Sequence, residues 1–233
     1  MDRPFTDRHA AGRELAAELA KYAGREDVVV LGLPRGGIPV AYEVANALGA
    51  PLDVLVVRKL GVPRHEELAM GAIASGGVCV LNDDVVLAAG IGTAEIDAVT
   101  RRELRELRRQ ERLYRGESDP IAVHGAIAIA VDDGLATGAT MRAAIVALRE
   151  RDAASIVVAV PIASPQTCAE IGHAVEEIVC VRTPEHLVAV GVWYYDFLPT
   201  SDDEVRRLLR RGREAEGAGN AVPASAEGLD GGR

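Results

Sequence analysis

Five short apolar runs, separated by helical stretches, constrain the fold of this 233-residue chain more than any other feature. The runs lie at residues 28–33, 52–57, 126–131, 155–162 and 177–181. Each has the length and the apolar composition of a buried strand. Helical stretches follow at 38–48, 139–150 and 165–173. This alternation predicts an α/β domain whose mostly parallel central sheet is flanked by helices on both faces.

The segments outside this alternation predict three further elements. They are an N-terminal helix ending near residue 22, a hairpin over 72–81 and a long, mostly solvated helix over 93–115. We expect a single domain over residues 1–211, in which 82–118 is a helical insertion. The remaining residues, 212–233, are rich in Gly, Ala and Ser, and we expect a disordered tail there.

Composition excludes several classes of protein. The net charge of −9 argues against a nucleic-acid-binding face. The three cysteines are widely spaced and form no CxxC motif, which argues against a disulfide scaffold and a structural zinc site. No apolar run approaches the length of a membrane span, and the N-terminus has no apolar signal region. We therefore expect a cytoplasmic protein without a membrane partner.

One loop, "VDDGLATGAT" at residues 131–140, carries the chemistry. It is not a nucleotide P-loop, because Ala139 rather than lysine follows Gly138, and "GLPRGG" near residue 33 is not a dinucleotide fingerprint. A structural turn would explain the glycines but not two acids beside two threonines. A phosphorylated ribose suits all of them. Its hydroxyls donate to carboxylates such as Asp132 and Asp133, and its phosphate accepts backbone N–H groups at a helix N-terminus.

The segment "IAVDDGLATGATM" resembles the phosphoribosyl-pyrophosphate motif of type I phosphoribosyltransferases, and "GLPRGGIPVA" resembles the pyrophosphate loop of that family. The resemblance covers roughly residues 25 to 200. It implies the family fold, with a small hood and a flexible loop beside the central sheet. The donor motif is most similar to the adenine type. Ala136 stands where the 6-oxopurine enzymes carry an aspartate that donates a proton, which puts hypoxanthine and guanine in doubt as substrates.

The resemblance assigns roles in donor binding. Asp132 and Asp133 would hold the ribose hydroxyls and would place Mg²⁺ directly or through water. The residues that would cradle the 5′-phosphate are Ala136, Thr137, Gly138, Ala139 and Thr140. The residues that would contact the pyrophosphate are Arg35, Gly36 and Gly37, with a cis peptide bond expected at Pro34–Arg35.

Further roles follow from the same resemblance. Lys59, with Arg58 beside it, would meet the pyrophosphate from a flexible loop, and Glu67 or Glu66 would replace the missing proton donor. A solvated surface loop is the alternative for both glutamates. Trp193 or Tyr194 would stack on a planar base, and a core position is the alternative for the tryptophan.

The resemblance implies an Mg²⁺-dependent enzyme. It would transfer ribose 5-phosphate from phosphoribosyl pyrophosphate to a nitrogenous base or another nitrogen nucleophile and release pyrophosphate. Homodimers are common in the family. Two alternatives remain at this point: a regulator that binds the donor without transferring it, and a hydrolase of phosphorylated sugars.

Overall fold

The computed structural model describes residues 3–219. Strands β1 to β8 are Val28–Gly32, Leu52–Val54, Val57–Val62, His65–Ala74, Val78–Leu81, Ile127–Val131, Ser155–Ile162 and Glu177–Arg182. Helices α1 to α7 are Arg8–Glu18, Gly37–Leu48, Asp83–Ala88, Thr93–Arg115, Ala139–Glu150, Pro165–Gly172 and Asp202–Gly219. Two short 3₁₀ turns are Ala20–Tyr22 and Val190–Trp193. The predicted α/β class is confirmed.

The central sheet has five parallel strands in the order β2-β1-β6-β7-β8. Every residue of β1 and β6 is buried, because helices cover both faces. Helices α1, α2, α4 and α7 pack on one face, and α5 and α6 pack on the other. The two faces therefore form two separate apolar cores, as the continuous apolar runs predict.

The strand order places a topological switch point between β1 and β6. From β1 the chain continues outward to β2, whereas from β6 it continues outward on the opposite side to β7. Gly32 and Val131, the last residues of β1 and β6, pair with each other. The loops that follow these strands therefore leave the sheet at the same point, where open α/β sheets bind ligands.

A second, antiparallel sheet contains β3, β4 and β5. It corrects the predicted strand over 52–57, because β2 ends at Val54 and β3 begins at Val57 in the other sheet. The N–H of Val56 donates to the Ser75 hydroxyl, and the carbonyl of Val56 accepts the N–H of Ser75. These two hydrogen bonds hold the chain away from the central sheet. The predicted hairpin over 72–81 is confirmed as β4 and β5. Arg58 and Lys59, which we expected in a flexible loop, lie on β3 of a β3–β4 hairpin.

The long helix over 93–115 is confirmed with the predicted bounds. Val99, Leu107 and Tyr114 are buried against the core, and most of the helix's other residues are exposed or partly exposed, as expected. Within residues 3–219, no helix is both long and apolar enough to cross a membrane.

The C-terminal helix corrects the predicted disordered tail. Helix α7 continues past Gly212 to Gly219. Val205, Leu208 and Leu209 anchor it in the core. Gly212 lets it approach the sheet, since a Cβ atom at this position would lie 3.1 Å from the Cβ atom of Leu52. The rest of the predicted tail, 220–233, lies outside the described residues.

Candidate active site

The loops after β1 and β6 are in direct contact. The N–H of Leu33 donates to the carbonyl of Val131 at 2.8 Å. A Cβ atom on Gly37 would lie 2.7 Å from that carbonyl oxygen, and a Cβ atom on Gly36 would collide with the Asp133 carboxylate. Both glycines are thus needed for the close approach. The two predicted donor-binding loops therefore form a single site.

Asp132 is half-buried directly after β6. Its Oδ1 accepts the backbone N–H of Asp133 at 2.8 Å. Burial raises the pKa of Asp132 well above its ordinary value, and the neighbouring charge of Asp133 raises it further. The ionised form of Asp132 is therefore disfavoured in the ligand-free protein. A hydrogen-bond donor or a cation beside the carboxylate would stabilise it.

Asp133 is held from several directions. Its Oδ2 accepts a hydrogen bond from Nε of Arg8 at 2.8 Å, and its carbonyl accepts one from the Tyr194 hydroxyl at 2.6 Å. Burial raises the pKa of Asp133, although the hydrogen bond and the charge of Arg8 act in the opposite direction. The two acids therefore differ: Asp133 is paired with a cation, whereas Asp132 is bound by a backbone amide.

The rest of this loop forms a cradle at the start of α5. Gly138, the N-terminal cap residue, has a φ of 69°, in the left-handed region that glycine adopts readily. The residues exposed around it are Ala136, Thr137, Ala139 and Thr140. The first turn of a helix leaves N–H groups without helical partners, so this surface is suited to an anion. The hydroxyl of Thr167 on α6 donates to the carbonyl of Ala136 at 3.0 Å, and this hydrogen bond holds the loop against α6.

The loop that is predicted to contact pyrophosphate contains a cis peptide bond between Pro34 and Arg35, as expected. The Arg35 side chain is half-exposed, and its Nη1 lies 3.9 Å from Oδ1 of Asp202 at the start of α7. Arg35 is thus at the edge of the site in a long, weak ion pair, and its guanidinium is accessible.

Arg58 and Lys59 are adjacent on β3 and therefore face opposite sides of the sheet. Arg58 faces α4, where its Nη2 lies 2.6 Å from Oε2 of Glu103. Lys59 faces α5 and lines a cavity of about 430 Å³ together with Ala139 and Thr140. The structure thus brings Lys59 to the cradle at the start of α5 and places Arg58 in an ion pair on the other face.

Glu66 and Glu67 lie at the start of β4 and are both exposed. The carboxylate of Glu66 lies 3.6 Å from Arg102 on α4. The carbonyl of Glu67 accepts a hydrogen bond from Nζ of Lys59 at 3.2 Å. Glu67 is therefore associated with Lys59, whereas Glu66 is associated with the α4 face.

An aromatic cap, defined as Phe5, Trp193, Tyr194 and Phe197, adjoins the acid pair. The Tyr194 ring lies 5.4 Å from the Phe5 ring and 5.0 Å from the Phe197 ring, and Tyr194 is only 6% exposed. Burial raises the pKa of the Tyr194 hydroxyl, and the charge of Asp133 adds to the effect. Tyr194 thus supports the Asp133 loop from within the core, whereas Trp193 is half-buried at the surface of the cap.

Sequence reasoning missed Arg8. This residue is separated from Asp133 by 125 positions, and nothing in the local pattern of α1 indicates the pairing. Only the path of the folded chain brings Arg8 to the acid pair.

The comparisons with known proteins agree with this geometry. A family model described as the phosphoribosyl transferase domain matches residues 5–195. The chain belongs to this family. Two Mycobacterium tuberculosis proteins, from strains CDC 1551 and H37Rv, have names that describe them provisionally as phosphoribosyl transferases. Each is 50% identical over 223 residues, which cover 96% of this chain and 50% of the relative.

A solved structure from Thermus thermophilus, named TT1426, has the same fold. It is 39% identical to this chain, and the match covers 89% of this chain and 98% of the other, with a TM-score of 0.80. The chain spans about half the length of the curated relatives it matches. Membership in the phosphoribosyl transferase family is thus established for the domain.

Proposed function

We propose that this domain transfers ribose 5-phosphate from phosphoribosyl pyrophosphate to a nitrogen nucleophile and releases pyrophosphate. The observation that carries the proposal is the meeting of two loops at the switch point of the sheet. One loop offers Asp132 and Asp133 followed by an exposed helix N-terminus. The other offers Arg35 and two glycines that contact the acid loop. A donor with two hydroxyls and phosphates at both ends matches this arrangement of acceptors and donors.

In this proposal each group acts mainly by holding the donor in place. Asp132 and Asp133 accept hydrogen bonds from the ribose hydroxyls, and the amides of residues 136–140 bind the 5′-phosphate. Arg35 and Lys59 offset the charge that develops on the leaving pyrophosphate. Departure of pyrophosphate gives the anomeric carbon oxocarbenium character, so orientation and electrostatic stabilisation supply most of the rate.

The acid pair fits a Mg²⁺ ion that is shared with the donor. Mg²⁺ usually binds one or two carboxylates together with substrate phosphates, and Asp132 carries a carboxylate that is costly to ionise alone. Within residues 3–219, no cluster of three or more His, Cys, Asp or Glu side chains is arranged to hold a metal ion. The ion would therefore arrive with the pyrophosphate, whose charge it would help to neutralise.

The acceptor side needs a group to manage the proton of the attacking nitrogen. Ala136 cannot serve, and we assign the role to Glu67. In support, its backbone carbonyl accepts a hydrogen bond from Lys59, which lines the cavity beside the cradle, and its carboxylate is exposed to a bound acceptor. Glu67→Gln should lower turnover by roughly 10²–10⁴-fold while donor affinity barely changes, since this carboxylate binds no phosphate. Glu66→Gln is the matched control, because Glu66 is associated with Arg102 on the α4 face.

The decisive assay incubates the protein with Mg²⁺, phosphoribosyl pyrophosphate and a panel of purine and pyrimidine bases. Pyrophosphate, inorganic phosphate and the nucleotide product are measured separately. Pyrophosphate release that depends on one base and equals the nucleotide formed supports transfer. Donor binding without turnover would favour the regulator, and base-independent release of phosphate or ribose phosphate would favour the hydrolase.

The chain offers a matched control for the acid pair. Asp132→Asn with Asp133→Asn should abolish the activity and Mg²⁺-dependent donor binding. Asp83→Asn with Asp84→Asn changes the same number of charges in the first turn of α3 and should leave both unchanged. Equal loss in the two double variants would point to net charge rather than to the site.

A further inference from the structure

The N-terminal helix contributes a side chain to the acid pair, although its sequence lies far from both donor loops. Arg8 is the first residue of α1. Its Nε donates to Oδ2 of Asp133 at 2.8 Å, and its Nη1 donates to the carbonyl of Leu198 at 2.8 Å. The Arg8 side chain is 11% exposed and the Asp133 side chain is 16% exposed. This pair is thus sheltered from solvent and joins two distant parts of the chain.

The position of Arg8 runs against local helix preference. A cation in the first turn of a helix opposes the helix dipole, and acids are favoured there. The cap of α1 is otherwise well formed, since Oδ1 of Asp7 accepts the N–H of Ala10 at 2.7 Å. Local departures from preference that are compensated elsewhere are expected at functional sites. The compensation here is the carboxylate of Asp133.

The aromatic cap fixes the Arg8 guanidinium in one place. The Arg8 guanidinium carbon lies 3.9 Å from the centroid of the Phe197 ring, in cation–π geometry. Phe5 pairs with the other end of the cap, since its N–H donates to the carbonyl of Trp193 at 2.8 Å. Both phenylalanines and the single tryptophan of the chain lie in this cap. Arg8 therefore contacts the aromatic cap on one side and the Asp133 carboxylate on the other.

We infer that Arg8 is a positioning residue: it holds the Asp133 carboxylate in the orientation that receives a ribose hydroxyl. This inference rests on the proposed function, because it assigns the role through Asp133. The planar guanidinium suits the task, since its fork donates to Asp133 and Leu198 at once. A lysine ammonium would reach only one of these acceptors with comparable geometry.

The test measures binding of Mg²⁺–phosphoribosyl pyrophosphate by calorimetry, together with the thermal unfolding midpoint. Arg8→Met should weaken donor binding by about 10- to 100-fold, the range expected when a charge-assisted contact that orients a ligand-binding group is lost. Arg8→Lys should restore affinity to within about fivefold of the wild type, because it keeps a cation beside Asp133. The thermal unfolding midpoint of Arg8→Lys should nevertheless stay below that of the wild type, because the hydrogen bond to the Leu198 carbonyl is lost.

Arg182→Met is the matched control for general loss of stability. The Arg182 guanidinium carbon lies 3.5 Å from the centroid of the Phe5 ring, and its Nη2 bonds Glu14 rather than Asp133. This variant should lower the unfolding midpoint and leave donor affinity unchanged. If Arg8→Met binds the donor as tightly as the wild type, or if Arg182→Met weakens binding equally, the role of Arg8 is refuted. If the wild type itself binds no donor, the proposed function fails and this inference fails with it.

Discussion

At the residue scale, the structure separates two adjacent carboxylates that look alike in the sequence. Asp133 is paired with Arg8, whereas the Asp132 carboxylate accepts its hydrogen bond from a backbone amide. The sequence predicted the pair, because acids followed by a Gly/Thr loop form a local pattern. It could not predict their inequality, because the distinguishing partner lies 125 positions away and is brought close only by packing of α1.

Asp132→Asn should stabilise the ligand-free protein at pH 7. The raised pKa of Asp132 means that its ionised form is disfavoured in the folded state, and asparagine keeps the acceptor for the Asp133 amide while removing the charge. We expect a gain in the free energy of unfolding of about 0.5–2 kcal/mol, the usual range for stabilising substitutions, with loss of donor binding, as is common where function opposes stability. Chemical denaturation with and without Mg²⁺–phosphoribosyl pyrophosphate measures both. A destabilised variant would contradict the assigned electrostatics.

Gly36→Ala should impair donor binding through Asp133. The added methyl group would collide with the Asp133 carboxylate, so the carboxylate must move away from its contact with Arg8. We expect donor affinity to fall by about tenfold or more. Gly92→Ala is the control, because the nearest atom to its added methyl group is Oε2 of Glu95 at 3.9 Å. Normal donor affinity in Gly36→Ala would show that the loop tolerates displacement of Asp133.

At the element scale, strand β3 decides which of two adjacent cations reaches the cradle. The sequence predicted both Arg58 and Lys59 near the pyrophosphate, but the strand alternation turns Arg58 toward α4 and Lys59 toward α5. The sequence did not predict the opposite orientations of these two side chains, because the apolar run over 52–57 was assigned to a single strand. The break at Val54 depends on Ser75, which is a tertiary contact that a single-sequence pattern does not contain. The helices and the other central strands were predictable because their periodicity is local.

The Arg58–Glu103 pair links β3 to α4 and should give a pH-dependent contribution to stability. Burial raises the pKa of Glu103, but hydrogen bonds from Arg58 and Arg102 outweigh it, so the pKa lies below its ordinary value. The contribution is therefore fully present above the unfolded-state pKa and is lost as the pH falls through the lower folded-state pKa. Glu103→Gln should cost roughly 1–3 kcal/mol at pH 7, and the cost should shrink below about pH 4.

Denaturant unfolding measures this dependence. The wild type and Glu103→Gln are compared between about pH 3 and pH 7, at intervals of about one pH unit. Glu106→Gln on the same helix is the control. It removes an i,i+3 ion pair with Arg109 in which the Glu106 side chain is one-third exposed. Such surface ion pairs contribute under about 1 kcal/mol to the free energy of unfolding. A pH-independent cost for Glu103→Gln would mean that the side chain acts by packing rather than by its charge.

At the scale of the whole molecule, the N-terminal segment and the segment that precedes α7 meet beside the candidate active site. The N–H groups of Tyr195 and Asp196 donate to the carbonyls of Phe5 and Thr6, each at 2.9 Å. The parallel sheet presents the two donor loops, and these two paired segments place the aromatic cap beside them. The alternation of elements was sufficient to predict the sheet and the loops. The cap was only partly predictable, since Trp193 or Tyr194 was expected to stack on a base, whereas Tyr194 packs between two rings.

The most direct test of the central claim is a crystal structure of the protein with Mg²⁺–phosphoribosyl pyrophosphate. We predict the ribose hydroxyls at Asp132 and Asp133, the 5′-phosphate on the amides of residues 136–140, and the pyrophosphate at Arg35 with Lys59 turned toward it. A donor bound elsewhere, or one bound at this edge with its ribose hydroxyls away from both carboxylates, would contradict the account.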